Sequence, residues 1–138
     1  MMAAAGVGWL VALSVFDVRA RRLPNWLTLP GALLVLVVAA LAGRGPAALA
    51  GAAALSALYL TVHAVSPRAM GGGDVKLAVG LGAMTGAFGV DVWLLAALAA
   101  PMCTGVLAVG AAVRGIPTVP HGPSMCAASA AAVALVMA

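Results

Sequence analysis

Met70-Gly71-Gly72-Gly73-Asp74-Val75-Lys76-Leu77 is the stretch around which this chain is organised. Three glycines lead into one of only three carboxylates in the protein, and a long apolar segment follows. An acid at the edge of a hydrocarbon span marks a functional site by default, because the membrane penalises its charge. The bland alternative is a glycine loop closed by an aspartate that caps a helix. The rest of the chain decides between them.

Of 138 residues, 65% are hydrophobic and 7% charged, and mean hydropathy is +1.19. Soluble domains carry about 25% charged residues. So few charges cannot cover a surface facing water, and the apolar stretches are long enough for a bilayer. The chain therefore reads as an all-α, polytopic membrane bundle in contact with lipid. It has room for one membrane-embedded domain, residues 1–138, and no separate soluble one. The net charge of +4 is too dispersed for a nucleic-acid surface and serves instead as topology information.

Six spans follow in order. Residues 1–16 carry no charge and lack the basic start of a signal peptide. Asp17 to Asn25 is a polar loop, ended by Pro24, which disfavours helix before it. Residues 26–42 form the second span and 47–65 the third, with a Gly-Arg-Gly-Pro turn between them. Residues 66–74 form the glycine-rich loop. The fourth span covers 75–90, and Asp91 sits in a short hairpin before the fifth, 92–113. A loop with prolines at 117, 120 and 123 precedes a short sixth span, 124–138.

Parity sets the geometry. Two complete spans separate Asp17 from Asp74, so both acids lie on one membrane face. Arg19, Arg21, Arg22, Arg68, Lys76 and Arg114 share that face, against Arg44 alone on the other. Positive residues collect on the cytoplasmic side, so this face is cytoplasmic and both termini are extracytoplasmic. Two carboxyls in contact, one ionised and one protonated, activate water and protonate the carbonyl or leaving group. That chemistry hydrolyses a peptide without a metal, a cofactor or a covalent nucleophile. Parity alone does not put the acids in contact.

Two motifs carry a resemblance. Gly71-Gly72-Gly73-Asp74-Val75-Lys76-Leu77 matches the G-x-G-D-V-K-L signature of the type IV prepilin peptidase family. Asp17-Val18-Arg19-Ala20-Arg21-Arg22-Leu23-Pro24-Asn25 is similar to its other motif, an aspartate followed by basic residues and a hydrophobe-Pro-Asn. Val119-Pro120-His121-Gly122-Pro123 resembles its proline-rich approach to the last span. G-x-G-D alone is also found in presenilin-like intramembrane proteases; both aspartate motifs in one six-span chain are far more specific. The resemblance implies catalytic Asp17 and Asp74, with Gly71, Gly72, Gly73, Lys76, Pro24 and Asn25 as motif residues near the substrate's path. It implies cleavage of the basic leader from a prepilin-like membrane protein, just after a glycine, at the cytoplasmic boundary of the cell membrane. Larger members add a cysteine-bearing cytoplasmic region and methylate the new N-terminus. This chain resembles the small, peptidase-only form that serves Flp or tight-adherence pili, for which no methyl transfer is expected.

The glycines suit that chemistry, since they allow close approach of another chain and positive φ. Ala78, Gly82 and Gly86 form a stripe of small residues that permits close packing, with the first span as candidate neighbour. Lys76 is placed to snorkel to the interface, and the arginines of the first loop act as topology determinants. His63 and His121, with the two aspartates, would make a metal set by residue type, but no ligand spacing supports it and they read as interfacial or loop histidines. Cys103 and Cys126 lie at different depths, which argues against a disulfide.

Rival readings are a small six-span transporter, whose site would lie near mid-membrane, and a non-catalytic scaffold. Within the peptidase reading, Asp74 opens a helix and faces its positive end, whereas Asp17 closes one. That asymmetry makes Asp74 the base and Asp17 the protonated partner.

Overall fold

The computed structural model describes residues 2–138. Six helices follow one another: α1 (Met2–Ala20), α2 (Asn25–Leu41), α3 (Gly45–Val65), α4 (Gly72–Gly86), α5 (Val90–Val113) and α6 (Gly122–Met137). The described residues contain no strand. Prolines open several helices, as expected where a missing N–H and a fixed φ do no harm. Pro24 stands extended before α2, and α3 and α6 carry proline in their first turn. The turn into α5 needs Gly89, whose φ of +122° is closed to residues with a Cβ.

Helices α3 and α5 are long and apolar enough to cross a membrane; α2 and α6 are apolar and shorter. Large aliphatic side chains such as Leu29, Leu33, Leu34, Leu98, Met102, Val106 and Val109 point outward. A contiguous apolar surface on this scale is untenable in water and natural in lipid.

Helix α4 runs through the middle. Eight of its 15 residues are buried, against four of the 24 in α5. At 1.5 Å per residue it spans roughly 22 Å, less than the hydrocarbon core, and its first turn opens onto the surface at Gly72 while its last residues are buried. The expected fourth span, 75–90, is shifted: the helix starts at Gly72 and ends at Gly86. The expected first loop is also shorter, because α1 continues past Asp17 to Ala20. Asp91 lies in the first turn of α5 and not in the hairpin.

The small-residue stripe on α4 packs against α3, not against the first helix as expected. A Cβ at Gly86 would stand 2.8 Å from the Ala47 carbonyl oxygen and 2.9 Å from Gly51 Cα; one at Gly82 would stand 3.0 Å from Ala52 Cα. The backbones therefore touch, which maximises dispersion contact where hydrophobic driving force is absent. Trp93 of α5 closes the seam by donating its indole N–H to the Gly51 carbonyl at 3.0 Å.

Helix α1 is held differently. It lies against α6, and Trp9 wedges between Gly31 of α2 and Gly80 of α4. Its indole N–H donates to the Leu27 carbonyl at 2.9 Å, so a large ring is seated with its polar atom satisfied. Leu13, Leu77, Leu81 and Met125 are fully buried in one cluster. Leu13 precedes Asp17 by one turn, Leu77 follows Asp74 and Met125 follows Gly122. Three helices thus supply an apolar floor under the acids.

Candidate active site

Asp17 lies at the start of the last turn of α1 and is only 8% exposed. Its Oδ2 accepts the backbone N–H of Gly122, at the start of α6, at 2.9 Å. A carboxylate there receives both an orphan helix N–H and the positive end of the helix dipole. Glycine is required at this contact, because a Cβ on residue 122 would stand 2.9 Å from Asp17 Cγ.

Asp74 is the third residue of α4 and half-buried. It does not cap the helix; Gly71 holds that position. The backbone amide of Gly71 faces the Asp74 carboxyl, and the carboxyl of Asp17 lies near enough for its charge to be felt there. An acid at this position that reaches back toward the capping residue stabilises the first turn. Glycines 71 to 73 were expected in a loop with access to positive φ. Instead Gly72 and Gly73 are helical and Gly71 is extended at φ −72°. Their contribution is room: nothing lies within 4 Å of a Cβ built on Gly72.

Both acids line one open cleft of about 700 Å³ at the end of the bundle. Its walls are Phe16 to Asn25, without Val18 and Arg19, and Gly71 to Asp74 with Lys76. Every residue singled out from the two motifs therefore reaches the same cleft. Lys76 does not simply snorkel outward: its ammonium donates to Asn25 Oδ1 at 2.7 Å, which joins the two motifs to each other. Pro24 turns the chain into α2, its carbonyl accepting the N–H groups of Leu27 and Thr28. Leu23 tucks under it against Gly73.

The expected difference between the acids is removed. Asp17 was read as facing only the negative end of α1, yet it sits at the positive end of α6. Both aspartates face a helix N-terminus, and the dipole no longer distinguishes base from acid.

Other features lay beyond the sequence reading. Arg21 is the one non-glycine residue among those described with positive φ, +53°. Its guanidinium donates to Thr118 Oγ1 at 3.0 Å and to the Thr118 carbonyl at 3.3 Å. It thereby straps the first loop to the loop before α6, a task beyond topology alone. The histidines do not converge on the acids. His63 Nδ1 pairs with the Met70 carbonyl, while His121 bridges Tyr59 and Thr104. Among the described residues no three His, Cys, Asp or Glu side chains form a metal-holding group. Cys103 and Cys126 are both free, one exposed and one buried.

The arrangement offers two carboxyls, an open wall of glycines and a rim with Arg21, Arg22 and Lys76. It can activate water against an extended chain laid along the cleft. The family model for the type IV leader peptidase family matches residues 4–113, which includes both acids and ends before the loop that leads to α6. No curated protein and no solved structure was found to match. With well over half of its length matched, the chain belongs to the type IV leader peptidase family, a family of membrane-embedded proteases.

Proposed function

We propose that this protein is an aspartyl endopeptidase that removes the basic leader of a prepilin-like membrane protein. The observation that carries the proposal is the shared cleft: Asp17 and Asp74, on helices distant in sequence, line it together. Two carboxyls within reach of each other's charge in one cleft do not both ionise readily and share a proton. The ionised one takes a proton from water as the water oxygen attacks the scissile carbonyl carbon. The protonated one donates to the carbonyl oxygen, giving a neutral tetrahedral gem-diol. The C–N bond then breaks as the carboxyl that took the water proton delivers it to the amine nitrogen while the other, now ionised, removes a hydroxyl proton from the gem-diol, which leaves amine, carboxylic acid and a pair again holding one proton. The two acids titrate as a unit, so base and acid are roles of the pair.

The glycine wall favours a substrate whose backbone is bare near the cleavage point, in keeping with cleavage just after a glycine. The cleft opens at one end of the bundle, unlike the mid-membrane site of a transporter. The basic residues gather at that end, so the cleft faces the cytoplasm and both termini lie outside, in the cell membrane.

The test is cleavage of a prepilin-like substrate in liposomes, followed by gel shift and terminal sequencing. Asp17→Asn and Asp74→Asn should each lower turnover at least about a hundredfold with the melting profile retained. Turnover near wild type in either folded variant refutes the dyad. Complete loss of wild-type activity on chelation refutes the metal-free reaction.

A further inference from the structure

His121 lies outside both aspartate motifs and outside the family match. It stands at the N-cap of α6, half-buried, where three helices meet. Its Nε2 is 3.3 Å from the Tyr59 hydroxyl on α3, and its Nδ1 bonds Thr104 Oγ1 on α5. The next residue, Gly122, donates its N–H to Asp17. Tyr59 is itself buried.

Hydrogen-bond capacity assigns the ring's state. Thr104 has one hydroxyl proton, directed at the Ala100 carbonyl 3.1 Å away. Its oxygen then accepts from His121, so Nδ1 carries the proton and Nε2 accepts from Tyr59. A neutral imidazole has one donor and one acceptor, and here both are used. Burial acts in the same direction by lowering the pKa of His121.

We infer that His121 is a positioning residue for Asp17: pinned to α3 and α5, it fixes the start of α6 so that the Gly122 N–H holds the Asp17 carboxyl in the cleft it shares with Asp74. The inference rests on the peptidase reading for its effect on turnover, though not for its effect on the Asp17–Gly122 hydrogen bond. The reason is geometric. The loop before α6 contains two prolines, Pro117 and Pro120, which lack the N–H groups that would tie it to a neighbour. The ring and the Arg21–Thr118 strap supply side-chain ties in their place.

The experiment uses the full chain in nanodiscs, with ¹³C-aspartate and ¹⁵N-glycine labels. His121→Phe keeps an aromatic ring and removes both nitrogens. The Asp17 carboxyl carbon and Gly122 amide signals should move. With a prepilin-like substrate, kcat should fall roughly ten- to hundredfold, as for a misplacement near 1 Å, and KM should stay within about threefold. His121→Gln, which restores a donor and an acceptor, should recover most of the loss. Unmoved Asp17 and Gly122 signals in His121→Phe overturn the inference, as does a loss that falls on KM alone. Should His121→Phe fail to fold, Tyr59→Phe and Thr104→Val each delete one bond with little change of shape and are read the same way. Absence of cleavage by wild type would refute the peptidase reading, while the labelled signals would still decide the role of His121.

Discussion

Substituting Gly122 by alanine tests the site at its tightest contact. The added Cβ would stand 2.9 Å from Asp17 Cγ and 3.2 Å from Asp17 Cβ. Ordinary carbon contacts begin near 3.4 Å, so the carboxyl must retreat by roughly 0.5 Å or more. Its bond from the Gly122 N–H, now 2.9 Å, lengthens or breaks. A hydrogen bond to a charged group contributes about 1.5–3 kcal/mol, and misplacing a reacting group by about 1 Å costs on the order of a hundredfold in rate. Turnover should therefore fall roughly ten- to hundredfold, about 1.4 to 2.7 kcal/mol of barrier. Folding should suffer little, since alanine favours helix over glycine by about 1 kcal/mol. The assay is single-turnover cleavage in liposomes, with thermal unfolding in detergent alongside. Gly105→Ala is the control, because nothing lies within 4 Å of a Cβ there. If Gly122→Ala cleaves within twofold of wild type while Asp17→Asn is inactive, the Gly122 contact does not place the acid and the reasoning fails.

Two further expectations concern other parts of the molecule. Gly86→Val should destabilise the bundle by about 1–3 kcal/mol, since its Cβ meets the backbone of Ala47 and Gly51; an unfolding midpoint equal to that of Gly110→Ala, where space is open, would remove the α3–α4 seam as a stabilising contact. Product made with S-adenosylmethionine present should keep a free N-terminus, because the connections between the six helices are short and hold no inserted region for that cofactor; a gain of one methyl mass in the spectrum would overturn this.

The two motifs were legible because their chemistry is written locally. A hydrophobe-Pro-Asn ends one loop, a glycine run ends another, and an acid stands at a fixed place in each. That both meet in one cleft followed in part from parity, since two crossings return the chain to the same side. Helix ends were less legible. Asp17 looked like a loop residue because arginines follow it, yet backbone hydrogen bonds carry α1 on to Ala20, with the Arg21 N–H still bonded to the Asp17 carbonyl. The triple glycine looked like a loop for the same compositional reason, yet its last two members open α4.

What the sequence by itself determined is the number of helices, that the two acids lie at one end of the bundle, and the chemistry they suit. Those follow from the length of apolar segments against a bilayer, from the two complete crossings between the acids, and from residue type. Only the tertiary structure decided which helices touch. In lipid both the outward and the inward face of a helix are apolar, so periodicity does not mark the buried face. Hence the small-residue stripe on α4 gave no sign that its partner was α3. Nor did any local pattern announce that Gly122, 105 positions after Asp17, would hold its carboxyl, or that Tyr59, Thr104 and His121 would meet behind it. Such contacts arise when close-packed backbones bring a few polar groups together where no water can satisfy them, and each must then find the others.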